Sequence, residues 1–221
     1  MMKYGIGLLV ALCILVIGYF IGATEHKNMF SNVKWTDVGT LLVTFFGFSF
    51  GFFTYFQWLS SKRKEDAYFA AKKYVASIDE IEEHLHELLF QYNHICPVPG
   101  LQVESKGISV KRIEHLNNVW SHLYQARRDL YKSHRELEFW SVKLTNVFSE
   151  DYEAMNKLLD NVSVVSSALN NQLFHFIESH MENMDSVIRH KKQFDELYNG
   201  ILQITQKRVQ CGFKAIFRFG Q

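Results

Sequence analysis

Residues 38–59, "VGTLLVTFFGFSFGFFTYFQWL", contain no charged side chain. A helix rises about 1.5 Å per residue, so about 20 apolar residues cross the hydrocarbon core of a bilayer. Inside lipid the backbone must satisfy its own hydrogen bonds, which makes such a run helical if it spans. Residues 4–23 form a second uncharged run. That run exceeds the apolar core of about 7–15 residues found in a secretory leader, and "YFIGATEH" lacks the small-residue cleavage pattern. Both runs therefore read as membrane spans, and residues 1–61 as a transmembrane hairpin.

Charge orients the hairpin. The second run is followed by "SSKRKEDAYFAAKK", with Lys62, Arg63 and Lys64 at the membrane edge, and Lys3 precedes the first; the connecting loop has only Lys27 and Lys34. Basic residues concentrate on the cytoplasmic side, so both termini are expected in the cytoplasm. Trp35, Trp58, Tyr4 and Tyr55 lie near span ends, where amphipathic rings favour the headgroup region.

The remaining sequence is electrically balanced. Taking the three lysines and two acids (Glu25, Asp37) that precede Lys62 from totals of 24 and 23 leaves 21 of each sign. No net field draws in nucleic acid, and direct nucleic-acid binding is not expected. Cys13, Cys96 and Cys211 show no paired spacing, which argues against a disulfide framework.

Within lipid the hydrophobic effect does not drive helices together, so small residues that let backbones approach carry the information. Gly18 and Gly22 provide such a pair in the first run. In the second, Thr40, Thr44, Gly47, Gly51 and Thr54 fall on one narrow stripe at 100° per residue, with most phenylalanines on the other sides. Three readings of the stripe stand: packing within one hairpin, association with a second copy, or no role, since glycine is common in membrane helices.

From residue 62 to about 95 apolar residues recur every three to four positions, at Tyr68, Ala71, Val75, Ile78, Ile81, Leu85, Leu88 and Tyr92. This is an amphipathic helix expected to continue from the second span without a break. Both prolines fall in "CPVPGLQVESKGIS", a loop, after which Ser109 is the expected cap of a helix patterned from Ile113 through Trp140 and Leu144 to Val147. A polar cluster at 149–151 precedes a run from Tyr152 to Ile177. "SHMENMDS" then reads as a bend, with Asp185 as a cap, before a last run from Val187 to Val209. The expected fold class is all-α: the transmembrane hairpin, then an elongated cytoplasmic bundle of coiled-coil-like helices over 62–210. Residues 211–221, "CGFKAIFRFGQ", mix aromatic and basic side chains and read either as a membrane-interface segment or as a tail packed on the bundle.

Little in the chain points to chemistry. Glu83 and His86 form a single ExxH, but a di-iron bundle needs a second copy and further glutamates. His94 with Cys96 and His115 with His122 are less specific still. There is no Walker, HExxH or GxSxG pattern, so neither cofactor nor metal is expected. "RRDLYKSH" resembles the R-x(4–6)-H motif of HEPN ribonucleases, helical bundles that use arginine and histidine across a dimer to cleave RNA. Under that resemblance Arg128 and His134 would be catalytic.

In layout the chain resembles small two-span bacterial membrane proteins of abortive-infection and retron phage-defence systems: two closely spaced spans, a glycine- and aromatic-rich second span, a basic exit and a long helical region. The resemblance implies a cytoplasmic bundle that holds a protein partner and spans that disturb the membrane when released. It assigns no functional residue. The expected function is a non-enzymatic, self-associating membrane effector, with a passive scaffold or a membrane-tethered ribonuclease as alternatives.

Overall fold

The computed structural model describes residues 35–97, 105–178 and 183–220. It is predominantly helical, as the apolar periodicity requires. The chain divides into two compact units, Met1–Arg63 and Lys64–Gln221. The expected span at 4–23, with Gly18 and Gly22, lies outside the described residues.

Helix α1 (Trp35–Ile95) is continuous over 61 residues. It contains no proline, its glycines stop at Gly51, and residues 62–95 are rich in Lys, Glu and Ala. Nothing in the covalent chain forces a break where the apolar run meets the charged one. By length and composition α1 can cross a membrane: its apolar window has a mean hydropathy of 1.4, and none of that window is buried. In the first unit Phe46, Phe48, Phe50 and Trp58 all stand exposed.

The second unit packs residues 64–95 of α1 with α2 (Lys106–Phe139), α3 (Asn146–Glu178) and α4 (Met184–Cys211). The side-chain contacts fix their directions. Lys73 meets Glu136, Ser77 meets Ser133 and Gln91 meets Arg112, so α2 runs antiparallel to α1. Arg127 reaches Asp160 and Lys106 reaches Glu178, reversing α3 relative to α2. Asp151 holds Lys207, and Leu158 faces Gly200, reversing α4 relative to α3. Successive buried residues on α3, from Phe148 through Tyr152, Met155, Leu159 and Val162, alternate spacings of four and three. This is the 3.5-residue period that keeps one seam facing its neighbours. The same alternation on α1 buries Tyr74, Ile78, Ile81, Leu85, Leu88 and Tyr92. Each large apolar side chain fully buried this way contributes about 1.5–3 kcal/mol. Relative to the sequence pattern, Tyr74 replaces Tyr68 and Val75 in the core: Tyr68 is exposed and Val75 only partly buried.

Three local expectations are corrected. Helix α2 begins at Lys106 rather than after a cap at Ser109, because the Ser105 carbonyl already accepts the N–H groups of Ile108 and Ser109. The helix expected to run to Val147 stops at Phe139. Ser141 takes a left-handed φ of 58°, and Val142–Leu144 form a strand, β1. Asp185 is not the cap of α4 but lies in its first turn, where a carboxylate meets the positive end of the helix dipole; the cap position is Asn183, at φ 69°. Within "SHMENMDS", residues 179–182 lie outside the described residues; α3 runs to Glu178, and α4 starts at Met184 after the left-handed Asn183.

After α4 come a single turn, α5 (Phe213–Ile216), and a second strand, β2 (Phe217–Phe219). β2 pairs antiparallel with β1 in the register Val142↔Phe219, Lys143↔Arg218, Leu144↔Phe217. Two further backbone bonds extend the ladder, Thr145 N–H to Ile216 O and Gly220 N–H to Ser141 O. A Cβ on Gly220 would stand 3.0 Å from the Ser141 carbonyl oxygen, so the approach depends on glycine. Ile216 and Phe217 are buried at 3% and 4% exposure, and the Phe217 ring meets Tyr74 edge-on at 5.9 Å. Of the two readings of residues 211–221, packing on the bundle is the one observed for these side chains.

Candidate functional site

Two places gather the residues singled out in the sequence. The first is the stripe on α1. Built onto Gly47 or Gly51, a Cβ would find no atom of the described residues within 4 Å. Thr40, Thr44 and Thr54 each donate their hydroxyl to the carbonyl four residues earlier, at 2.8 Å. Their polar atoms are thus satisfied inside the helix, and the stripe can lie against lipid or another backbone without an orphaned hydroxyl. Lys62, Arg63 and Lys64 follow it and are exposed.

The second is a groove of about 780 Å³ between α2 and α3. Arg128 and His134 both line it, together with Tyr124, Tyr131, Arg135 and Tyr152. The imidazole of His134 lies flat on the Tyr152 ring, with centroids 4.0 Å apart and planes 5° from parallel. Burial in this contact lowers the His134 pKa below the ordinary histidine value, although the nearby Glu138 and Glu153 carboxylates pull the other way. The ring is therefore neutral at neutral pH and can accept a proton.

Cations in the groove differ in their engagement. Arg127 is held by Asp160 at 2.6 Å and Lys132 by Asp129 at 2.7 Å. The Lys132 ammonium, and then the Gln125 amide, keep the Asp129 carboxyl below the usual carboxylate range. Arg128 and Arg135 are exposed and bonded to no carboxylate among the described residues. Tyr124, Arg128, Tyr131 and Arg135 sit at i, i+4, i+7 and i+11, one stripe of α2 that alternates ring and guanidinium. Sequence reasoning isolated only the Arg–His pair. The stripe was available from spacing alone, whereas Tyr152 comes from another helix and has no local signal. His94 and Cys96, like Glu83 and His86, have no third ligand gathered around them among the described residues.

No family model, curated protein or solved structure matches this chain.

Proposed function

We propose that the chain is a non-enzymatic membrane protein of the bacterial inner membrane. In this reading residues 4–23 and 38–59 both span, both termini lie in the cytoplasm, and 62–210 form an elongated bundle that binds a protein partner. The second span self-associates through its small-residue stripe, and release of the partner lets the assembled spans perturb the membrane, as a phage-defence effector would. The observation that carries the reading is the surface of α1 among the described residues: open space over Gly47 and Gly51, threonine hydroxyls already satisfied, and an apolar window with no residue buried. Such a face gains by meeting a second helix closely, since dispersion rather than hydrophobic transfer holds helices together in lipid.

Induced expression should depolarise cells, and Gly47→Leu with Gly51→Leu should relieve the effect by filling the stripe. Depolarisation undiminished in that variant would remove the stripe from the mechanism. Expression that leaves the potential intact, while deletion of the bundle abolishes partner recovery, would leave only a scaffold. A second reading is supported by the shared groove of Arg128 and His134: a membrane-tethered ribonuclease in which the neutral His134 is the proton acceptor. It requires RNA cleavage by the wild type that is lost in His134→Ala.

A further inference from the structure

One wall of the groove between α2 and α3 presents rings and charges that the bundle itself leaves unengaged. Tyr124 and Tyr131 are 57% and 58% exposed, and neither ring stacks on another among the described residues. Arg128 and Arg135 are exposed as well, and neither guanidinium is paired with a carboxylate among the described residues. Arg127 and Lys132, in the same groove, are already held by Asp160 and Asp129. The unengaged side chains form two pairs, Tyr124 with Arg128 and Tyr131 with Arg135, and the second pair repeats the first after seven residues. Seven residues of helix rise about 10.5 Å and return to the same face. The rest of the lining is equally telling: every residue in it is charged, a tyrosine, a histidine or an asparagine, with no aliphatic side chain, phenylalanine or tryptophan.

We propose that this groove holds a single-stranded nucleic acid, with bases stacked on Tyr124 and Tyr131 and phosphates gripped by Arg128 and Arg135. A guanidinium takes a phosphate bidentately, and an exposed ring takes the face of any base. The lining selects this occupant over others. An amphipathic helix or a lipid tail needs an apolar wall, which the groove lacks. An acidic peptide would satisfy the guanidiniums and leave both rings in water. A free nucleotide has one base and fills one pair, whereas a repeated pair matches a repeating polyanion. A duplex keeps its base faces inside its own stack and offers none to a ring. The balanced total charge excludes a long-range field but not a local site, and Glu138 and Glu153 in the same groove weaken its potential further. Recognition therefore falls to the two rings and two guanidiniums at contact. Holding a strand requires no cleavage, so this site goes beyond the ribonuclease reading and stands apart from it.

The test is a fluorescence-anisotropy titration of the full chain, in nanodiscs of uncharged phosphatidylcholine, with a labelled oligodeoxythymidylate of about 10 nucleotides. Binding is expected, with log K falling as log salt rises. Tyr131→Ala should weaken it by about fivefold or more without changing the salt slope, and Tyr131→Trp should restore it. Arg128→Ala with Arg135→Ala should reduce the slope by about 1.4, since each phosphate contact on a single strand contributes about 0.7. All four side chains are exposed, so these variants leave the core of the bundle intact. No binding by the wild type would overturn the proposal, as would full affinity in Tyr131→Ala or an unchanged slope in the double arginine variant. Thymidine monophosphate that displaces the strand at equal concentration, or a duplex bound as tightly as the strand, would also overturn it, by showing that no extended single strand is needed. Because the probe is DNA, a wild type that binds it and cleaves no RNA supports this site while ending the ribonuclease reading.

Discussion

Ser77 and Ser133 offer a sharp test of how α1 is fastened to α2. Both are buried, at 5% and 0% exposure, and their Oγ atoms lie 2.9 Å apart. Each Oγ is also 2.9 Å from a carbonyl on its own helix, Tyr74 O for Ser77 and Leu130 O for Ser133. Two hydroxyls have two protons for these three contacts, so the interhelical bond forms only when one serine gives up its own carbonyl. That carbonyl remains bonded within the helix, and no group is orphaned. Replacing either serine by alanine removes one net hydrogen bond, about 1 kcal/mol, while the surviving hydroxyl falls back on its own carbonyl. Replacing both removes the second hydrogen bond as well, so the cost should be about 2 kcal/mol, the sum of the singles. For a unit of this size 1 kcal/mol moves Tm by about 2–4 °C. Tryptophan-fluorescence melting of the full chain in nanodiscs for Ser77→Ala, Ser133→Ala and the double variant closes the cycle. A double variant that loses no more Tm than either single would show that the surviving hydroxyl does not fall back on its own carbonyl, and the reasoning fails.

Two further outcomes follow from single positions. Gly200 lies inside α4, and a Cβ there would stand 3.4 Å from Leu158 Cδ1, at ordinary contact distance. Gly200→Ala should therefore stabilise the protein by about 0.5–1 kcal/mol in the same melting assay, and a loss would mean that α3 and α4 are closer than this. His134 has a folded-state pKa below its ordinary 6.5, so the unfolded chain binds the proton first as pH falls. Its contribution to stability is complete above about pH 6.5, declines as pH drops through that value, and levels off below the folded pKa. His134→Gln should flatten that part of the Tm-against-pH curve, and an unchanged curve would place the titration elsewhere.

Much of the helical architecture was legible because its signal is local. The 3.5-residue spacing through Ile78, Ile81, Leu85 and Leu88 belongs to one helix and needs no partner to be recognised. The same holds for the uncharged run at 38–59, where the cost of unsatisfied backbone in lipid dictates a helix before any tertiary contact is known. The two-stranded β1–β2 ladder was not legible in this way. Trp140, Leu144 and Val147 fit a helical period well enough to hide β1, although "VKL" and "FRF" both alternate apolar and basic residues, a signal that short strands share with chance. Likewise the spacing of Arg128 and His134 was visible, but not that a tyrosine from α3 would stack on the imidazole and hold it neutral.

The sequence by itself determined the all-α class, the uncharged run able to cross a membrane, and most of the seam of each long helix, since propensity, periodicity and charge act within a few residues of one another. Only the tertiary structure decided that residues 142–144 leave the helix for a strand and that Lys143 faces Arg218. It also decided that His134 lies on Tyr152. These are pairings between segments far apart in the chain, and their free energy exists only once packing has brought the partners together.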